Sequence, residues 1–89
     1  MKRDILLDKA KALVTKDRAE KHGNLESNFA TIAGYWSIHL GTEVTPADVG
    51  VMMNLLKVAR IKGNRKAKDN YLDSAGYMAW AAEVEGKLK

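Results

Sequence analysis

Apolar residues recur at steps of three and four along almost the whole chain, which is the spacing of one face of an α-helix. No segment shows the sustained alternation of apolar and polar residues that a half-buried strand requires. Glycine-containing stretches interrupt the helical pattern at "KHGN", "LGTE" and "KGNR". The sequence therefore predicts an all-α fold of four main helices joined by short connections, which is typical of a compact bundle.

End signals give approximate bounds for the four predicted helices. We expect them at Arg3–Glu20, Leu25–Leu40, Pro46–Ile61 and Lys68–Val84. The third helix has the clearest start, because Thr45 is a favoured N-cap, Pro46 suits the first helical position and Asp48 can complete a capping box. Gly41 is expected to close the second helix, and Gly86 to stop the fourth.

The length of 89 residues predicts one domain, 1–89, and a modest stability for a monomer. Tyr35, Met52, Met53 and Trp80 supply more apolar surface than a small core absorbs. We therefore expect self-association into a homo-oligomer, which would bury the surplus.

Composition also predicts the compartment. The chain has no cysteine, which excludes disulfides and fits a reducing environment. The N-terminal stretch does not resemble a signal peptide, and no run approaches the roughly 20 apolar residues that span a bilayer. We expect a soluble, cytoplasmic protein that does not act at a membrane.

A basic cluster of six cations, uninterrupted by an acidic residue, lies between residues 57 and 68 in a chain of net charge +4. Its members are Lys57, Arg60, Lys62, Arg65, Lys66 and Lys68. The cluster can attract phosphate, in a small molecule or in a nucleic acid. It can also be a solvated loop without a ligand.

Acidic residues follow this cluster at a matching spacing. If the third and fourth helices pack antiparallel about a loop centred near Arg65, Lys57 meets residues near Asp73 and Arg60 meets residues near Asn70. Asp69 and Asp73 would then face Lys57 and Arg60 across the hairpin. Such pairs can fix helix register, or they can leave some of the charges free for a ligand.

Aromatic and histidine residues offer further candidates. Tyr77 and Trp80 follow Asp73 on one helix face and can either stack a nucleobase or form the bundle core. Phe29 is expected in the core. His22 is expected at the end of the first helix, where the helix dipole favours an imidazolium. Its alternative role is to support a binding site.

Three long stretches resemble a family of small uncharacterised helical domains of tailed bacteriophages and prophages. They are "DRAEKHGNLESNFATIAGYWSIHLG", "TPADVGVMMNLLKVARIKG" and "KDNYLDSAGYMAWAAE". The resemblance covers about Ile5 to Glu83. It implies a phage origin and a location in the host cell cytoplasm, but it implies no activity.

The fourth helix is also similar, more weakly, to the last metal-binding helix of MazG-like all-α nucleotide pyrophosphohydrolases. This resemblance implies magnesium at Asp69 and Asp73. The family's first carboxylate pair has no counterpart, since helix two carries only Glu26 and helix three only Asp48. Catalysis is therefore left open and is not favoured. No cofactor is expected for a domain that only binds a ligand. If the enzyme interpretation holds, the expected cofactor is Mg²⁺.

These observations favour a domain that binds a phosphate-bearing small molecule, with a nucleotide or cyclic nucleotide as the expected ligand. The predicted ligand-binding residues are Lys57, Arg60, Arg65, Lys66, Tyr77 and Trp80, with His22, Asp69 and Asp73 in support. The alternatives are a module that binds a phage or host protein without a small ligand, a MazG-like enzyme, and a nucleic-acid binder that uses the basic cluster.

Overall fold

A computed structural model describes residues 1–17 and 25–88. Within these ranges the chain forms four α-helices and no strand: α1 (Arg3–Ala12), α2 (Leu25–Leu40), α3 (Pro46–Gly63) and α4 (Lys68–Leu88). A π-helical segment, Leu13–Asp17, continues α1. The predicted all-α fold of four packed helices is confirmed.

The predicted bounds hold at most helix ends. The bounds of α2 agree at both ends, α3 begins where its cap signals place it, and α4 begins at the predicted Lys68. The expected stop at Gly86 is wrong, because α4 continues to Leu88. A glycine in a helix costs only about 1 kcal/mol relative to alanine, which a long packed helix tolerates. The predicted end of the first helix, at Glu20, and the interruption at "KHGN" lie outside the described residues.

The turn between α2 and α3 is built from two local devices. Gly41 has φ of +69°, the left-handed conformation that glycine adopts without strain, and its N–H donates to the Ser37 carbonyl over 2.9 Å. The Ser37 hydroxyl accepts the Val44 N–H over 2.8 Å. The chain is thereby turned so that α3 packs against α2.

The capping box predicted for α3 is present. Asp48 N–H donates to Thr45 Oγ1 over 3.1 Å, and Thr45 N–H donates to Asp48 Oδ2 over 2.9 Å. Two of the N–H groups that a helix start leaves unpaired are satisfied in this way.

The core lies where α2 meets the α3–α4 hairpin. Phe29 is buried between Tyr77, at a ring-centroid distance of 5.9 Å, and Trp80, whose ring it meets edge to face at 4.6 Å. Val49 is fully buried beside this aromatic cluster. Met53 and Trp36 are partly buried and pack against the cluster.

These positions correct part of the oligomer argument. Trp80 and Met53 belong to the core and are not surplus surface. Tyr35 and Met52 are exposed, as that argument requires. Of the four residues in that argument, Tyr35 and Met52 therefore remain as exposed apolar surface.

Two glycines let the helices approach closely. A Cβ at Gly50 would lie 3.0 Å from Ala81 Cβ and 3.1 Å from Trp80 Cε3, so α3 and α4 are nearly in backbone contact there. A Cβ at Gly76 would lie 2.9 Å from Val14 Cγ1, where the continuation of α1 crosses α4. Gly34 has no such neighbour.

Candidate functional site

The α3–α4 hairpin carries an ion pair that the sequence predicted. Lys57 Nζ lies 2.8 Å from Asp73 Oδ2, with 12 % and 25 % of the respective side chains exposed. Ser74 Oγ donates to Asn54 Oδ1, and Trp80 lies against Gly50 further along the hairpin. All of these contacts fit an antiparallel register about a loop centred near Arg65.

The second predicted rung does not form. Arg60 and Asp69 are both exposed, and among the described residues the structure contains no ion pair between them. The two helices therefore share one salt bridge rather than a lattice of four charges. The physical reason is exposure, since water competes well for two long surface side chains.

This arrangement does not suit magnesium. Asp73 is already paired with Lys57, whose ammonium would repel a divalent cation at the same carboxylate. No group of three metal-ligating side chains occurs in residues 1–17 and 25–88. Mg²⁺ needs several oxygen ligands, and Asp69 with Asp73 does not supply them here.

Tyr77 and Trp80 take the second of their two predicted roles. Their side chains are 7 % and 6 % exposed, and both contact Phe29 in the core. Neither ring presents an open face to a ligand in this structure. A different aromatic residue stands beside the basic cluster.

That residue is Tyr71, in the first turn of α4. Its hydroxyl donates to the Arg65 carbonyl over 3.0 Å, which ties the helix to the preceding loop. Within the loop, Asn64 Oδ1 accepts the Lys66 N–H over 3.2 Å, and the Asn64 carbonyl accepts the Ala67 N–H over 3.3 Å. These bonds hold the backbone of Arg65 and Lys66 in a defined position next to the Tyr71 ring.

A cleft of about 500 Å³ opens at this point, between the start of α1 and the loop. Its lining residues are Met1, Leu6, Arg65, Lys66, Lys68 and Tyr71. The volume lies within the usual range for small-molecule sites. Three cations and one ring share the cleft with two apolar side chains, and no carboxylate of the described residues lines it.

Of the predicted ligand-binding residues, the structure brings Arg65 and Lys66 into this cleft. Lys57 is held in its ion pair, and Arg60 is exposed on α3 outside the lining. His22 lies outside the described residues. Sequence reasoning did not select Lys68 for the site, and it missed Tyr71, although an aromatic residue three positions after a basic run was a usable signal.

Among the described residues, no helix combines the length and the apolar character needed to cross a bilayer.

Within the described residues, the fold is that of a small all-helical domain. The chain belongs to the family described as Domain of unknown function (DUF6378), whose model matches residues 5–85. The predicted resemblance to uncharacterised phage domains is thus confirmed.

Two phage proteins, both called Gene 55 protein, are similar to this chain. The one from Mycobacterium phage L5 is 40 % identical over 73 residues, which is 81 % of this chain and 47 % of the relative. The one from Mycobacterium phage D29 is 36 % identical over 72 residues, which is 81 % of this chain and 48 % of the relative. The chain thus spans about half the length of these curated relatives.

No solved structure matches the chain. None of the matches reported above is a MazG-like enzyme, and that resemblance is not shown.

Proposed function

We propose that this phage-type domain binds a phosphate-bearing small molecule, a nucleotide or cyclic nucleotide, in the cleft between α1 and the α3–α4 loop. The observation that carries the proposal is the grouping of Arg65, Lys66 and Lys68 around Tyr71 in one cleft. Nucleotides combine an anionic group with a flat aromatic base, and this cleft offers a partner for each.

The cations supply the phosphate end of the site. Arg65 can donate two parallel hydrogen bonds to phosphate oxygens, whereas the two lysines act as point charges. The cleft also lies at the N-terminal end of α4, where the helix dipole favours an anion. Without a lining carboxylate, the positive charge is not neutralised within the cleft.

Tyr71 supplies the aromatic end. Its ring is 39 % exposed, and its hydroxyl is already bonded to the Arg65 carbonyl. Fixing the hydroxyl orients the ring before a ligand arrives, which lowers the entropy lost on binding. Leu6 and Met1 provide apolar walls on the α1 side.

In this proposal Lys57 and Asp73 are scaffold. Their ion pair fixes how α3 lies against α4, and so places the loop that carries Arg65 and Lys66. Asp73 holds Lys57 in the hairpin rather than towards a ligand. Lys57 and Arg60 are not favoured as direct ligands, because neither of them lines the cleft.

The test is isothermal titration calorimetry with ATP, AMP, cyclic AMP and inorganic pyrophosphate. A charge-assisted hydrogen bond contributes about 1.5–3 kcal/mol, so Arg65→Ala should weaken nucleotide binding by about tenfold or more. Arg60→Ala is the matched control, because it removes an exposed arginine of the same cluster from outside the cleft. It should leave the affinity nearly unchanged.

Tyr71→Leu separates the two ends of the proposed site. It should weaken nucleotide binding more than pyrophosphate binding, because only the nucleotides carry a base to stack, whereas loss of the hydroxyl bond to the Arg65 carbonyl affects both. If no compound binds, or if Arg60→Ala weakens binding as much as Arg65→Ala, the cleft is not the site.

A nucleic-acid binder would behave differently in the same experiments. Its affinity for a single-stranded oligonucleotide would fall steeply with salt, and it would depend on exposed Arg60 and Lys62 as well as on the cleft residues. That outcome would replace the small-molecule proposal.

A further inference from the structure

One face of α3 carries a row of exposed side chains with a regular spacing. Its members are Asp48, Val51, Leu55, Val58 and Lys62, which follow one another at steps of three, four, three and four. All five are exposed, and Leu55 at the centre is 58 % exposed. This is the spacing of a helix seam that packs against another helix. We refer to these five residues as the α3 seam.

The two charged ends of the α3 seam are symmetric about Leu55. Asp48 lies seven residues before Leu55, and Lys62 lies seven residues after it. A second copy of the helix, running antiparallel with the two-fold axis at Leu55, would set Leu55 on its own equivalent. Asp48 of each copy would then meet Lys62 of the other. In a parallel pair, like charges would meet at both ends.

Neighbouring side chains widen the apolar surface. Met52 and Leu56 are exposed on α3 beside the seam, and Met78 is exposed on α4. A groove of about 310 Å³ runs between the two helices and is lined in part by Asp48, Val51 and Met78. Exposed apolar side chains therefore extend from the seam onto α4, where Glu85 also lines the groove.

Large apolar side chains of α3 and α4 remain exposed in the single chain. Each of the following is at least 36 % exposed: Val51, Met52, Leu55, Leu56, Val58 and Met78. An interface at the α3 seam would cover part of this apolar surface.

We propose that the α3 seam is the interface of a two-fold symmetric dimer, in which α3 of one copy packs antiparallel on α3 of a second copy. Leu55 lies at the two-fold axis, with Val51 and Val58 packing across it. Two Asp48–Lys62 pairs close the ends and select the antiparallel orientation. The interface leaves Arg65, Lys66 and Tyr71 outside it, so it stands independently of the proposed ligand cleft.

Sedimentation equilibrium at micromolar concentration tests the interface. The unmodified chain should show a mass about twice 9.8 kDa. Leu55→Asp should show the monomer mass, because two buried carboxylates would meet at the axis. Ile38→Asp is the matched control, since Ile38 is an exposed apolar residue of α2, outside the seam. It should remain a dimer.

Circular dichroism of both variants shows that loss of the dimer does not come from unfolding. If Leu55→Asp lost its helical signal, Leu55→Ser would be measured in its place. A monomeric unmodified chain, or a dimer that survives the substitution at Leu55 in a helical protein, would overturn the proposal. The exposed face would then belong to a different partner.

Disulfide trapping tests the orientation, and the absence of natural cysteines makes it clean. Leu55→Cys should cross-link to itself, because the axis brings its two copies together. Lys62→Cys should not, since its two copies would lie about 21 Å apart along the helices. Efficient cross-linking through Lys62→Cys would show a parallel pair, and efficient cross-linking through Ile38→Cys would show a different interface.

Discussion

The two ends of the α3–α4 hairpin are built on different physical principles. At the end far from the loop, which we call the closed end, Gly50 brings the α3 backbone against Trp80 and Ala81. At the loop end, the helices are joined by the Asn54–Ser74 hydrogen bond and the Lys57–Asp73 ion pair. Beyond that pair, the cations and Tyr71 are exposed around a cleft.

The difference separates stability from binding within one hairpin. The closed end excludes water and gains from burial of large apolar surfaces, which contribute about 25 cal/mol per Å². The loop end has polar contacts whose net contributions are small because water competes for them. A loop end with exposed charge can therefore interact with an anion without weakening the core.

The largest expected effect is at the closed end. Trp80→Ala removes a buried ring that contacts Phe29 edge to face, and it should lower the free energy of unfolding by about 3–5 kcal/mol. Urea denaturation followed by circular dichroism measures this loss. A small domain has little stability to spare, so the variant is expected to be partly unfolded.

The matched change at the loop end is Tyr71→Ala. It removes a partly exposed ring and one hydrogen bond to the Arg65 carbonyl, for which about 0.5–1.5 kcal/mol is expected. If this variant were as unstable as Trp80→Ala, the loop end would contribute to stability as much as the core. The proposed division would then be wrong.

The glycines are expected to give a smaller effect than Trp80→Ala. Gly34→Ala places a methyl group where no atom lies within 4 Å, so it should gain up to about 1 kcal/mol from helix propensity. Gly50→Ala has the same gain in helix propensity, but the new Cβ would lie 3.0 Å from Ala81 Cβ and 3.1 Å from Trp80 Cε3. Overpacking of this kind costs about 1–3 kcal/mol.

Thermal or urea denaturation of the two alanine variants gives that difference directly, because the propensity term cancels. Gly50→Ala should be less stable than Gly34→Ala by about 1–3 kcal/mol. Equal stabilities would show that α3 and α4 can separate slightly at the closed end without loss of packing.

An effect of intermediate size is expected at the ion pair. Asp73→Asn leaves the ammonium of Lys57, whose side chain is 12 % exposed, without its carboxylate, at a cost of about 2 kcal/mol, between the surface and fully buried cases. Lys57→Met in the same chain should recover much of this loss. A double-mutant cycle by urea denaturation should give a coupling energy of about 1–2 kcal/mol.

Arg60→Ala and Asp69→Asn provide the control cycle. Both residues are exposed and do not form the second rung, so each change should stay within about 0.5 kcal/mol and the two should be additive. If the stability changes of the Lys57 and Asp73 substitutions were additive, the two residues would not interact in solution. Coupling between Arg60 and Asp69 would restore the second rung in solution.

The sequence by itself predicted the helices and the register of the hairpin. Periodicity and caps are local properties, and Thr45, Pro46 and Asp48 determine the start of α3 through contacts within one turn. The Lys57–Asp73 pairing was also predictable, because a short loop between antiparallel helices relates positions on both sides by counting alone.

The tertiary structure decided which aromatic residue is buried and which is open to a ligand. Tyr71, Tyr77 and Trp80 all lie on α4, and nothing local to the helix says which of them meets Phe29. The rotation of α4 against α2 and α3 turns Tyr77 and Trp80 into the core and leaves Tyr71 beside Arg65. Burial depends on all the neighbours that compete for the same space, and those neighbours are distant in the sequence.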